Sequence, residues 1–357
     1  MSLTTVDSGL ISSGAITLTT QVTGTLPVAN GGTGVTTAID YGYKNRIING
    51  GMAIWQRGTT LSTNNSQGYY IDRMWGFSGS STAATFTQIS STGLDGFPYA
   101  TRAQRTAGNT GTGGLYCGQI IESNNLQDLQ GQSVTISFWA RAGANYSATS
   151  NILTIYLRTG TTADQGLNTL ISGWAGAVDQ TSAITLTTSW QKFSATFTVA
   201  SNAQEITPFL FASATGTAGA NDYFDVTGVQ LEKGSTATSF DYRPYGTELA
   251  LCQRYYVKTY NQSVVPGAVS SQGALFNYRS GTEVGFTFQF PVNMRTQPST
   301  TLYSPNTGTA AKVQVGSTDF TAAVNGGFVG EKNTMAYAGS LSGTTDCYIH
   351  MTASAEL

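Results

Sequence analysis

The chain alternates apolar and polar residues over short runs, and that habit restricts it to sheets. Val284, Phe286, Phe288 and Phe290 alternate with Glu283, Gly285, Thr287 and Gln289. Val134, Ile136, Phe138 and Ala140 alternate with Thr135, Ser137, Trp139 and Arg141, and Phe193, Ala195, Phe197 and Val199 do so with Lys192, Ser194, Thr196 and Thr198. A period of two puts successive side chains on opposite faces of a strand, leaving one face for a core. Residues 151–158, 207–212 and 222–231 read as further strands, separated by Gly, Asn and Ser clusters that favour turns. Several short strands without helices between them predict an antiparallel sandwich or jelly roll.

Composition narrows the partner. Only 10% of the 357 residues are charged, against roughly 25% in an ordinary soluble protein. Uncharged polar groups must therefore wet the surface, and the expectation is that β-ladders and contacts between copies, rather than ion pairs, hold the molecule together. Disorder is excluded by 18 Tyr, 16 Phe and 5 Trp. A net charge of −2 with scattered Lys and Arg argues against nucleic acid, which needs a basic stripe. Cys117, Cys252 and Cys347 are too few and too widely spaced for a disulfide framework, and His350 is the single histidine, so no zinc site is expected. The opening residues lack the basic and apolar regions of a signal peptide, and no apolar run reaches the roughly 20 residues of a membrane span. Synthesis in a reducing cytoplasm without membrane insertion is the expectation.

Several motifs carry a family resemblance. Residues 22–34 include Leu26, Pro27, Asn30, Gly31, Gly32 and Gly34, and this run resembles the "GTLPVANGGTG" element in the N-terminal parts of phage tail fibres. It is no phosphate loop, because no Gly-Lys-Ser/Thr follows. Residues 45–58 (NRIINGGMAIWQRG) and 70–75 (YIDRMW) open a block that residues 228–243 (GVQLEKGSTATSFDYR) close. Together they resemble the jelly-roll module of phage tail proteins, which is similar to carbohydrate-binding modules. Residues 247–256 (TELALCQRYY) match a signature that follows that module and read as one short helix with Thr247 as N-cap. Pro291 and Pro298 in a further family-like stretch call for strand ends or edges. The fold expected is all-β. An extended attachment and trimerisation segment (1–44) precedes a jelly-roll sandwich (45–245), then the short connecting helix and a smaller C-terminal β-sandwich (246–357).

The residues favour binding over catalysis. His350 alternates with Ile349 and Met351 in a strand-like stretch, and no Gly-x-Ser-x-Gly elbow exists. Asp222 with Asp225, and Asp164 with Asp179, are carboxylate pairs by sequence only, with nothing to show that either meets across a cleft. Carbohydrate-binding jelly rolls often hold a calcium through their last strand. Here Thr227-Gly228 occupies that place and Asp225 is out of step, so no metal and no cofactor are expected. Sugars are recognised by aromatic faces together with amide and hydroxyl groups. Trp174, in the polar segment 161–182, is therefore either a contact residue or a plug over the sandwich, and Asn145 and Tyr146 are ambiguous in the same way. Trp55, Trp75, Trp139 and Trp190 are expected in the core, and Asp72 with Arg73 as an ion pair or a trimer contact.

The expected function, leaning partly on the resemblance, is a non-enzymatic homotrimeric tail-fibre protein of the virion. Its N-terminal segment would join other tail or baseplate proteins, and its sandwiches would bind host surface polysaccharide. The alternative is a purely structural virion fibre or head-decoration protein, and a glycan-trimming enzyme ranks third.

Overall fold

Val134, Ile136, Phe138 and Ala140 all point inward from one strand, each 2% exposed or less. That strand is β5 (Ser133–Ala142). Four others, β6 (Ile152–Gly160), β8 (Gln191–Thr198), β9 (Glu205–Ala212) and β10 (Tyr223–Lys233), also fall on segments read as strands from the sequence. They join β1 (Thr60–Ile71), β2 (Met74–Ser90), β3 (Tyr99–Arg105), β4 (Leu115–Gly118) and β7 (Val178–Thr185) in a ten-stranded sheet. Its order is β7-β6-β9-β4-β2-β3-β10-β5-β8, with β1 beside β2. The computed structural model describes residues 43–279, 281–324, 328–339, 341 and 345–357.

Strand β2 folds this sheet onto itself. Residues 75–78 pair with β4 and residues 84–90 with β3, so one strand serves both layers. The bend lies at Ser80 and Ser81, whose φ angles are +29° and +59°. Opposite it, Asn65 bulges from β1 with φ +51°, and its Oδ1 accepts the Ser80 N–H at 3.1 Å. Gly113 crosses so close that an added Cβ would lie 1.9 Å from the Gly79 carbonyl oxygen. The two layers bury Leu153, Ile155, Leu157 and Leu210 against Ile136, Phe138, Phe224 and Val226. The result is an antiparallel sandwich, as the alternation predicts.

The chain beyond residue 244 is β again after one helix. The short α1 (Leu167–Ser172) interrupts the polar segment 161–182, whose last part lies in β7. The expected helix, α2 (Tyr245–Gln253), starts two residues before Thr247, and no side chain caps it. Pro244 is its N-cap and lacks the N–H that would otherwise be orphaned there. It also stops before Tyr256, which opens β11 (Tyr256–Lys258). The remaining strands are β12 (Leu275–Arg279), β13 (Val284–Gln289), β14 (Ser299–Tyr303), β15 (Lys312–Val315), β16 (Thr318–Thr321), β17 (Ala323–Val324), β18 (Asn333–Ala338) and β19 (Thr345–Ser354). Strand β19 is the hub, pairing with β11, β12, β14 and β15, while β13, β18 and β17 form a separate sheet. Pro291 and Pro298 lie just past β13 and just before β14. Residue contacts group Asn45–Leu357 as one unit and Met1–Lys44 as another. Leu26, Pro27, Asn30, Gly31, Gly32 and Gly34 lie outside the described residues.

One expectation from composition is corrected. The few charges are not idle: ten arginines pair with carboxylates among the described residues, and Arg73, Arg105 and Arg243 do so with their side chains buried. Arg105, 0% exposed, donates to Asp222 at 2.9 Å, to Ser147 Oγ, and to the carbonyls of Asn109, Gly111 and Gly216, tying three loops together. The two terminal nitrogens of the planar guanidinium meet all these acceptors at once, which offsets its desolvation, while Nε takes no hydrogen-bond partner among the described residues. The three cysteines are buried thiols, and burial pushes Cys117 up to about 12.

Candidate functional site

The residues singled out for ligand contact do not form one surface. Trp174 is 3% exposed and packs on Leu167, Leu170 and Leu357, over Gly160. A buried ring offers no face to a sugar, so Trp174 is the plug. Asn145 accepts the Asn221 N–H at 3.1 Å in the turn after β5, and the half-buried Tyr146 donates to the Ile152 carbonyl at 3.0 Å and lies edge-on to Phe224. Both brace loops at one end of the sandwich. Of the four other tryptophans, Trp75 is fully buried, while Trp55, Trp139 and Trp190 keep part of their surface.

The family-like motifs meet in a polar junction. Asp72 and Arg73 form the two-residue turn between β1 and β2, yet both are buried. They do not pair with each other. Asp72 accepts the Gln56 N–H and Nε2–H, each at 2.6 Å, and burial pushes its carboxyl up to about 6. Arg73 has a φ of +70°, lies 3.5 Å above the Tyr255 ring and pairs with Glu356, which Arg57 also contacts at 2.8 Å. Arg243 pairs with Glu248 at 3.0 Å, and Arg254 with Glu122 at 3.0 Å. These motifs therefore encode the seam between the ten-stranded sandwich and the strands that follow it, not a contact surface.

The carboxylate pairs named above are each held separately. Asp222 is on Arg105, Asp225 on Arg102 and Arg141, Asp164 near Arg295, and Asp179 on Arg158. Glu205, which burial pushes up to about 8, is fully buried behind Gln165, whose N–H it accepts. His350 stacks on Tyr260 at 3.6 Å between Thr259 and the Ser270 carbonyl, and burial lowers its pKa.

A cluster of part-exposed aromatic residues lies on the outer face of the layer β7-β6-β9-β4-β2. Register sets two rows across it. One runs Thr181, Tyr156, Phe209, Gly118, Trp75 and Tyr69; the next runs Ala183, Thr154, Phe211, Tyr116, Phe77 and Gln67. Trp75 and Phe209 are covered by α1 and Trp174, whereas Tyr116, Tyr156 and Phe211 are half-exposed. Tyr156 stacks on Phe209 with centroids 4.6 Å apart and planes 11° apart, and Tyr116 lies 4.6 Å from Phe211. The rings thus stand upright, and the second face of Tyr156 looks across Thr181 and Ala183 on the edge strand. This makes a shelf: an aromatic wall beside a floor of Thr154, Thr181 and Ala183. Neither the Tyr116 nor the Tyr156 hydroxyl is hydrogen-bonded to another described residue, though both lie close enough to Arg158 to feel its charge. Arg158 bounds the shelf, neutralised by two 2.7 Å bonds to Asp179.

The sequence held one signal for this face. In β9 the run Phe209-Leu210-Phe211 is apolar at both parities, so the strand must cover something on each side.

No protein-family model matches the chain, and no curated protein matches it by sequence. Among solved structures it is similar to the enzymatically active domain of bacteriophage CBA120 tailspike protein 4, at 13% identity and a TM-score of 0.34. That match covers 54% of this chain and 22% of the tailspike chain. It is also similar to TmCBM61, solved with β-1,4-galactotriose, at 10% identity and a TM-score of 0.31 over 54% of this chain and 99% of that one. A family 4 carbohydrate-binding module matches at 15% identity and a TM-score of 0.27, over 42% of this chain and 87% of the module.

Proposed function

We propose that this chain is the receptor-binding part of a homotrimeric phage tail fibre, which attaches the virion to a host surface glycan without turning it over. The observation that carries the binding claim is the shelf beside Tyr156. A pyranose laid against that ring would bury its C–H face on an aromatic wall while its hydroxyls meet the Thr181 hydroxyl and the two phenols. The shelf lacks an unneutralised charge, which suits a neutral saccharide.

Binding without cleavage is supported by the carboxylates. Glycoside hydrolysis uses two carboxyls roughly 5–10 Å apart that both reach the sugar. Asp222 and Asp225 are occupied by arginines, and Glu205, whose raised pKa would suit an acid, is sealed from solvent. A trimer is supported by apolar surface in the C-terminal block, where Val269, Phe276 and Tyr278 are exposed. Three linked shelves would raise a weak single-site affinity through effective concentration. Residues 1–44 are assigned the virion-attachment role from their motif.

The test uses the full chain. It should sediment with host cells or with their isolated surface polysaccharide and release no reducing ends. Failure to bind any such preparation would favour a purely structural fibre, and turnover abolished by one acidic substitution would show an enzyme.

A further inference from the structure

The other layer of the sandwich carries a second assembly that the neutral shelf does not use. Asp225 of β10, 0% exposed, lies between two cross-strand neighbours, Arg102 of β3 and Arg141 of β5. Arg102 Nε and Nη2 donate to its carboxylate at 2.8 and 3.0 Å, and Arg141 Nε donates at 2.8 Å. One counter-charge neutralises a buried carboxylate; here there are two. Arg141 spends only Nε on Asp225, and its two terminal nitrogens take no partner among the described residues. Both guanidinium groups keep about a quarter of their side-chain surface, 23% and 27%. Each is fixed in plane by a ring, Arg102 over Tyr223 at 3.5 Å and Arg141 over Trp190 at 4.8 Å. Lys192 on β8, paired in register with Trp139, is exposed, and its Nζ donates to the Thr238 carbonyl at 3.1 Å, outside this cluster. Two cations and one carboxylate therefore share this stretch of face in a chain whose net charge is −2.

We propose that this face is a second saccharide site, selective for a sugar that bears an anionic group, carboxylate or phosphate. The free fork of Arg141 would take two oxygens of that group, and Trp190 and Tyr223 would flank the ring. Asp225 sets the direction of both arginines, so the site is already ordered before ligand arrives, which lowers the entropic cost of binding. Asp225 is a positioning residue, since it is sealed beneath them. The site is independent of the Tyr156 shelf, which lies on the opposite layer and lacks surplus charge.

The experiment is calorimetric titration of the full chain at low ionic strength with trigalacturonic acid, with its neutral methyl ester and with glucose 1-phosphate. Binding of the acid or the phosphate, weakened by salt and absent with the ester, is expected. Arg141→Gln should weaken it roughly tenfold, because a charge-assisted bidentate contact is lost while Arg102 still holds Asp225. Arg141→Lys, which keeps the charge but not the fork, should fall between. Lys312→Gln, a charge loss on β15, should leave it unchanged. Equal binding of acid and ester, no binding of either anion, or undiminished affinity in a folded Arg141→Gln variant would overturn the proposal. Failure of this site leaves the neutral shelf untouched, since the ester and other neutral sugars report on that separately.

Discussion

Gln180 on β7 bridges to Thr198 on β8, its Oε1 accepting the Thr198 N–H at 3.1 Å and its Nε2 donating to the Thr198 carbonyl at 2.5 Å. These are the two outer strands of the ten-stranded sheet, so a single amide stands in for a ladder and closes the sandwich. Open edges invite pairing with other chains, and this device covers one. Gln180→Ala should lower stability by about 1 kcal/mol, since two solvent-accessible hydrogen bonds are lost. Hydrogen exchange should show faster exchange of the Thr198 amide; an unchanged rate would mean the bridge does not hold the edge.

The junction at Arg73 should tolerate little. Arg73→Ala removes a buried cation from Glu356, from the Ile120 carbonyl and from the Tyr255 ring. Arg57 still neutralises Glu356, so the loss should be about 3 kcal/mol, at the lower end for a broken buried pair. Urea unfolding measures it, and a loss below about 1 kcal/mol would show that the seam does not depend on this pair.

Glu205 gives a pH signature. Its folded pKa, about 8, is above the ordinary 4.5, so the folded state holds its proton more tightly than the unfolded one. Its contribution is fully present below about 4.5 and is lost as pH rises through 8. Glu205→Gln should remove that slope and stabilise the protein by about 1–3 kcal/mol at pH 8. Asp72, pushed up to about 6, acts in the same direction between its ordinary 3.8 and 6. His350, lowered by burial, acts oppositely: its contribution is present above its ordinary 6.5 and declines as pH falls. Thermal midpoints of Glu205→Gln and the parent from pH 5 to 9 check this, and parallel curves would contradict it.

Homotrimer formation predicts a mass of three chains by light scattering at micromolar concentration. A stable monomer would count against the fibre reading.

Where apolar and polar residues alternate strictly, the sequence was easy to read: β5 and β13 stand out because Phe138 and Phe286 alternate with polar residues, even though Thr135 and Ser137 on the second face of β5 are themselves buried. The β1–β2 hairpin was not legible. Residues 70–77, around Asp72 and Arg73, are buried at both parities, and in the outer half of β2 the buried Thr82 and Ala84 differ little in polarity from the half-buried Ala83 and Thr85 between them, so the alternation is faint. The motif residues were recognised, but their role as a seam depends on Glu356, which lies nearly 300 positions from Arg73 in the sequence. The shelf was missed for a related reason. Tyr116, Tyr156 and Phe211 come from three strands, and only register brings them into line. Trp174 drew attention because a tryptophan in a polar loop is conspicuous, whereas α1 and Trp174 together cover part of that very face.

The central claim is that a neutral glycan binds against Tyr156. Electrophoresis of the full chain through native gels containing neutral polysaccharides tests it most directly. Retardation by at least one polysaccharide, reduced about tenfold in affinity by Tyr156→Ala with the fold intact, is the result predicted, because stacking against the ring supplies roughly 1–2 kcal/mol. Equal mobility of the parent and the Tyr156→Ala variant in every gel would contradict it.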